Sequence, residues 1–149
     1  MDKQSVVMKR GQGETLSVLG TSVRFLCESE KTANGFSVME VVLPKDQGPP
    51  PHEHPWDEAY YILEGQARFQ VGDMEAVFGA GDFLYAPGGV VHAFRGASEA
   101  PARVLVMDAP AAAEKFFREV DREVKAMPQD LAKLPEIGSK HQLTFRTAA

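Results

Sequence analysis

One cysteine, Cys27, is all the chain carries. That excludes an intramolecular disulfide and fits a reducing compartment. Cys27 lies in SVRFLCES, an apolar strand-like run, so it reads as a buried small residue rather than a nucleophile. Long hydrophobic runs are also missing. The start, MDKQSVVMKRGQGETLSV, has no apolar region of signal-peptide length, and nothing later approaches a membrane span. The expectation is a soluble cytoplasmic protein with no membrane partner. No block of basic residues occurs and the net charge is −5, which argues against a nucleic-acid partner. No internal repeat or low-complexity segment divides the chain, and 149 residues suit one domain with a sizeable core.

What is present is a series of short β-like runs. TLSVLG, SVRFLCE and FSVMEVVLP come first, EAYYILEG, ARFQV, MEAVF and DFLYAP follow, and HAFR and RVLVMD close the series. They are rich in Val, Phe, Tyr, Leu and Ile and are punctuated by Gly, Pro or Asp, the signature of an all-β sandwich or barrel. Gly72-Asp73 between QARFQV and MEAVFG predicts a two-residue hairpin of type II′. After Pro110 the period changes. AAAEKFFREVDREVKAM reads as a helix limited by Pro128. Its apolar stripe, Phe116, Phe117, Val120, Val124 and Met127, is expected to pack on the outside of the β-structure. The barrel is placed at about 15–109 and a C-terminal helical segment at about 111–141 of a single 1–149 domain.

Two of the four histidines stand one residue apart in HEHPWDEAYYILEG, at 52–65. In a strand, residues two apart share a face, so His52 and His54 point into one cavity. Glu58 shares their parity if the chain stays extended through Pro55. Two imidazoles and a carboxylate converging from one side form a ligand set for non-haem iron or zinc. His92, in PGGVVHAFR, opens another short strand that a barrel can fold back against the first. Tyr60, Ile62 and Phe94 share parity with these residues and are candidates for the substrate-binding wall or for plain core. Trp56 follows Pro55 in an expected loop, as a cap on the cavity mouth or a surface packing group. Phe69, Val71, Phe83 and Tyr85 are core candidates, and His141 reads as an ordinary satisfied histidine.

These residues form two motifs that resemble those of the cupins. His52-x-His54-x3-Glu58-x6-Gly65 fits the first from its first histidine onward; its leading Gly falls on Asp46, with Gly48 nearby. Gly81-x5-Pro87-x-Gly89-x2-His92 fits the second, whose closing Asn falls on Gly96. Both departures are at turn positions, where residues that tolerate φ > 0 interchange. The resemblance implies a double-stranded β-helix (jelly-roll) barrel with one divalent metal held by His52, His54, Glu58 and His92. Iron or manganese is favoured, with nickel or zinc as alternatives. Four protein ligands on an octahedral ion would leave two positions for water, substrate or O2. Small single-domain cupins of the quercetin-dioxygenase-like kind imply a mononuclear-metal oxidoreductase acting on a small oxygenated or aromatic compound. Glu58 is then also the candidate catalytic base. The alternatives are a metal-dependent isomerase, lyase or cyclase on a sugar or keto compound, and a non-catalytic binding module. The resemblance also implies a homodimer, with TLSVLG and SVRFLCE adding to a neighbour's sheet edge.

Overall fold

Burial alternates through β3 (Ser37–Leu43): Ser37, Met39, Val41 and Leu43 point inward, while Val38, Glu40 and Val42 are half-buried on the other face. The same alternation runs through β2 (Thr21–Cys27), β5 (Asp57–Glu64) and β10 (Ala102–Ala109), as period-2 strands with one face on a core require. A computed structural model describes residues 2–146. With β1 (Thr15–Val18) and β8 (Phe83–Ala86), these strands form a six-stranded sheet ordered β1-β2-β3-β10-β5-β8. The second sheet contains β4 (His52–Glu53), β6 (Gln66–Val71), β7 (Met74–Gly79), β9 (His92–Gly96) and β11 (Thr144–Phe145), in the order β11-β4-β9-β6-β7. Every strand pair is antiparallel. The two inner faces enclose one apolar core that includes Phe25, Met39, Leu43, Ile62, Phe69 and Val104. This is the expected jelly-roll barrel.

The β6–β7 hairpin turns at Gly72 (φ 58°), and Asp73 is not in the left-handed region, as a type II′ turn requires. Asp46, where the first motif carries Gly, adopts φ 64°, so the turn keeps its shape with a different residue. Gly96 is a correction. It ends β9 without a positive φ, and what it needs is space: a Cβ there would sit 2.4 Å from the Pro44 carbonyl oxygen. Cys27 is half-buried rather than buried, beside the irregularity in the β2–β3 pairing. Phe83 and Tyr85 are not core residues; they are 62% and 52% exposed on the outer face of β8.

The helix after Pro110 packs outside the strands, against β1, as expected, but it is shorter than its stripe. α1 spans Ala113–Glu123, and Val124 is already extended at φ −105°, ψ 90°. The cause is Asp130, whose carboxylate accepts hydrogen bonds from the backbone N–H groups of Lys125 (3.0 Å) and Ala126 (2.9 Å). Those are donors a longer helix would spend on its own carbonyls. Met127 is consequently exposed. The other end of α1 is tied to the barrel by Asp108 on β10. Its carboxylate accepts from Ala112 N (3.0 Å) and Ala113 N (2.9 Å), and also from the N–H and hydroxyl of Ser37 on β3. A second helix, α2 (Leu134–Lys140), turns the chain back so that β11 joins the five-stranded sheet beside β4.

Candidate metal centre

Extended parity alone does not bring Glu58 to the histidines. β4 ends at Glu53, the chain turns through His54-Pro55-Trp56, and β5 begins at Asp57. β4 belongs to the five-stranded sheet and β5 to the six-stranded one. The bend at Pro55 therefore carries the chain across the barrel, and Glu58 approaches from the opposite sheet. His92, the first residue of β9, pairs directly with His52. His52, His54, Glu58 and His92 are all buried.

The three histidines are brought together: each offers a ring nitrogen, and these atoms all lie within 4.8 Å of one another. Their Nδ1 atoms lie against backbone carbonyls, His52 on Pro50 (2.8 Å), His54 on Trp56 (3.0 Å) and His92 on Val90 (2.9 Å). A carbonyl only accepts, so each Nδ1 carries the proton and each Nε2 presents a lone pair. The Nε2 atoms of His54 and His92 are buried and have no hydrogen-bond partner. Orphaned buried acceptors are costly, and a divalent cation is the partner that two or three converging imidazole lone pairs suit. The Glu58 carboxylate lies 3.1 Å from His54 Nε2 and 3.7 Å from His92 Nε2. The residues present therefore fit a divalent metal.

Trp56 and Tyr60 fix Glu58 in place. Trp56 Nε1 donates to Glu58 Oε1 at 3.2 Å, and the Tyr60 hydroxyl donates to Oε2. Trp56 also stacks on His54, with ring centroids 3.9 Å apart and planes 4° apart. It is buried at 2% exposure, so the expected loop residue is an inner wall of the site. Tyr60 and Ile62 do face inward, but they do not line the adjoining cavity. Tyr60 packs behind Glu58 on Phe69 and Phe94, so the wall assigned to the pair from parity belongs to the core. Phe94 does line the cavity. His141 lies against α1, 3.0 Å from Glu119 and beside Phe116, and is a satisfied histidine as expected.

Electrostatics follow from this burial. Burial opposes ionisation of Glu58, but the His54 and His92 rings, when protonated and without a metal, donate to it and hold its carboxyl well below the usual range. Burial, then the Glu58 charge, push the Tyr60 phenol well above its ordinary value, so it remains a donor. Burial works against protonation of His92, and Glu58 more than reverses it. His52 is pushed down from 6.5 to about 3, mainly by burial and by His92. The unfolded chain binds the His52 proton near 6.5 and the folded protein only near 3, so stability drops as the pH is lowered through that window. Glu58 adds to the fall below its ordinary value of 4.5. His92 opposes it, because its raised value contributes stability that is fully present below 6.5. Chelated protein should therefore lose on the order of 2–4 kcal/mol between pH 6.5 and pH 4 in urea denaturation. His52→Gln should remove most of that loss, because Glu58 contributes only below its ordinary value and His92 works the other way; an unchanged pH profile would contradict the burial argument.

A cavity with about 40 Å³ of free space adjoins the centre, touching His52, Trp56, Glu58 and Phe94. That is room for about three waters. Its remaining wall is largely apolar and includes Phe116 and Phe117 of α1 and Leu143 and Phe145 near the C-terminus. Sequence reasoning missed this contribution. The only signal for it was the doubled Phe of the helix stripe.

The model of the Cupin domain family matches residues 38–108. Quercetin 2,3-dioxygenase of Bacillus subtilis is 32% identical over 114 residues, which is 75% of this chain and 33% of that protein; the chain thus spans about a third of that relative's length. An uncharacterized protein of Streptomyces coelicolor is 32% identical over 91 residues, covering 61% of this chain and 81% of the relative. The solved polyketide cyclase RemF of Streptomyces resistomycificus superposes with a TM-score of 0.62 at 24% identity, over 71% of this chain and 80% of that one. The matched segment runs from β3 through β10 and contains His52, His54, Glu58 and His92. Two motifs, two antiparallel sheets and a buried histidine triad thus agree with the comparisons that this chain belongs to the cupin superfamily.

Proposed function

We propose that the protein is a mononuclear-metal oxidoreductase of dioxygenase type, acting on a small oxygenated or aromatic compound. The observation that carries the reading is the convergence of three imidazole Nε2 lone pairs, each tautomer fixed by a backbone carbonyl, beside the Glu58 carboxylate. His52, His54, His92 and Glu58 would hold one divalent ion, with iron or manganese favoured over nickel or zinc. Such an ion supplies Lewis-acid polarisation and, if redox-active, one-electron chemistry with O2.

The chain's own residues do the rest. Trp56 and Tyr60 orient the Glu58 carboxylate and keep it anionic. Phe94, Trp56 and the C-terminal phenylalanines exclude water from the reacting centre. If Glu58 leaves the ion during turnover, its carboxylate is the group in the cavity wall suited to take a proton from a substrate hydroxyl. The dioxygenase named among the relatives supports oxidation. An isomerase or cyclase reading has support in the cyclase with the same fold. Oxygen uptake separates them. Iron- or manganese-loaded protein should consume O2 with at least one member of a panel of phenols, diols and diketones, and His52→Ala should not. Turnover that persists anaerobically and with zinc would replace oxidation by the isomerase or cyclase reading. We further propose a homodimer formed through the edge strand β1, in a cytoplasmic setting; sedimentation as a monomer at micromolar concentration would exclude the dimer.

A further inference from the structure

The cavity beside the histidines has an unusual wall. Of its lining residues only Thr21, His52 and Glu58 bear polar side chains, apart from the Trp56 indole N–H already given to Glu58. Among the described residues, no Lys or Arg lines it. The face opposite the barrel is made by segments outside the residues that match the family: α1 contributes Phe116 and Phe117, and the C-terminal return contributes Leu143 and Phe145. Phe145 is in direct register with His52, and their rings are 6.1 Å apart. The strand that holds it there is two residues long, and its flanks are tied by Leu143 N to Gly138 O (2.9 Å) and Arg146 N to Pro51 O (2.8 Å). The free space directly beside the histidines is about 40 Å³, so a ring compound bound there lies against this wall, and β11, only two residues long, is its most weakly paired part.

We infer that β11 and the start of α1 form a specificity gate over the candidate metal centre, resting on the metal-site reading above. Phe116, Phe117, Leu143 and Phe145 admit a small uncharged compound, largely apolar and bearing oxygen donors, and refuse dicarboxylates and phosphorylated sugars. The reason is desolvation. A carboxylate or a phosphate held away from the ion would be buried against phenylalanine with no cation to meet it. A neutral ring instead buries apolar area on the same wall.

The test uses the full chain reconstituted with zinc, which is redox-inert, and two probes, catechol and 3,4-dihydroxybenzoate, which adds one carboxylate too far from the hydroxyls to share the ion. Trp56 is the sole tryptophan and lines the cavity, so its fluorescence reports occupancy, with calorimetry beside it and zinc content measured before and after. Catechol should bind at least tenfold more tightly than 3,4-dihydroxybenzoate. Phe145→Arg should cut that ratio at least tenfold by supplying the missing cation, and Phe117→Arg, at a second half-buried position, should do the same if the first variant folds poorly. Binding of 3,4-dihydroxybenzoate as tight as that of catechol, or a ratio unmoved in both folded variants, overturns the gate and leaves the metal site standing. A wild-type protein that takes up no zinc overturns the metal site and the gate with it.

Discussion

Replacing His52 and His54 together by alanine should reduce bound metal from about one ion per chain to less than about a tenth. The two residues supply half of the four candidate ligands, and one of them carries an orphaned Nε2. Loss of an outer partner to a ligand already costs about 10- to 100-fold in affinity. Loss of two ligands should exceed about 10⁴-fold, enough to empty the site at micromolar protein. The fold should survive, because the substitution removes a buried unsatisfied acceptor and because Phe69, Met39 and Leu43, which anchor the core, lie elsewhere. Elemental analysis of untagged protein after chelation and reconstitution measures this, with circular dichroism as the control. Equal metal in wild type and the double variant would remove the basis for a histidine-held centre.

Asp108→Ala should be the most damaging single substitution for stability, costing about 3–5 kcal/mol. The side chain is fully buried and its carboxylate receives four donors, from Ser37 N and Oγ and from the backbone N–H groups of Ala112 and Ala113. Alanine would leave the buried donors of Ser37 and Ala113 unpaired, together with that of half-buried Ala112, and would remove the negative charge at the N-terminus of α1. The helix also carries Phe116 against the cavity, so its loosening should open the site as well. Asp108→Asn should fall between, since the amide retains one acceptor oxygen without the charge. Urea denaturation at pH 7 reads both variants. A loss below about 1 kcal/mol for the alanine variant would mean that water or relaxation replaces the carboxylate.

Much of this architecture is legible in residue patterns because strand period and ligand parity are local. The β-branched run FSVMEVVLP declares β3 as a strand, although Val38 and Val42 on its other face leave its inner side open, and the two-residue spacing of His52 and His54 declares their shared side. What the pattern does not show are features made by the chain's return on itself. Glu58 belongs to the opposite sheet, because Pro55 ends one strand before the next begins. Tyr60 and Ile62 obey the parity rule, yet depth along the barrel axis, which parity does not encode, places them behind the cavity. Asp130 stops α1 early through a side-chain contact that competes with helix propensity. Phe145 reaches His52 from 93 positions away in the chain, through a two-residue strand too short to register as a period.

The crossing at Pro55 has a mechanical consequence. With His52 and His92 on one sheet and Glu58 on the other, a bound ion would be a rivet through both layers. The motion that parts the layers would then also be the motion that frees the ion. Its residence time would be governed by how often the sandwich breathes rather than by ligand exchange at an open rim, and amide protons of β5 and β9 would become slow to exchange together when the rivet is in place.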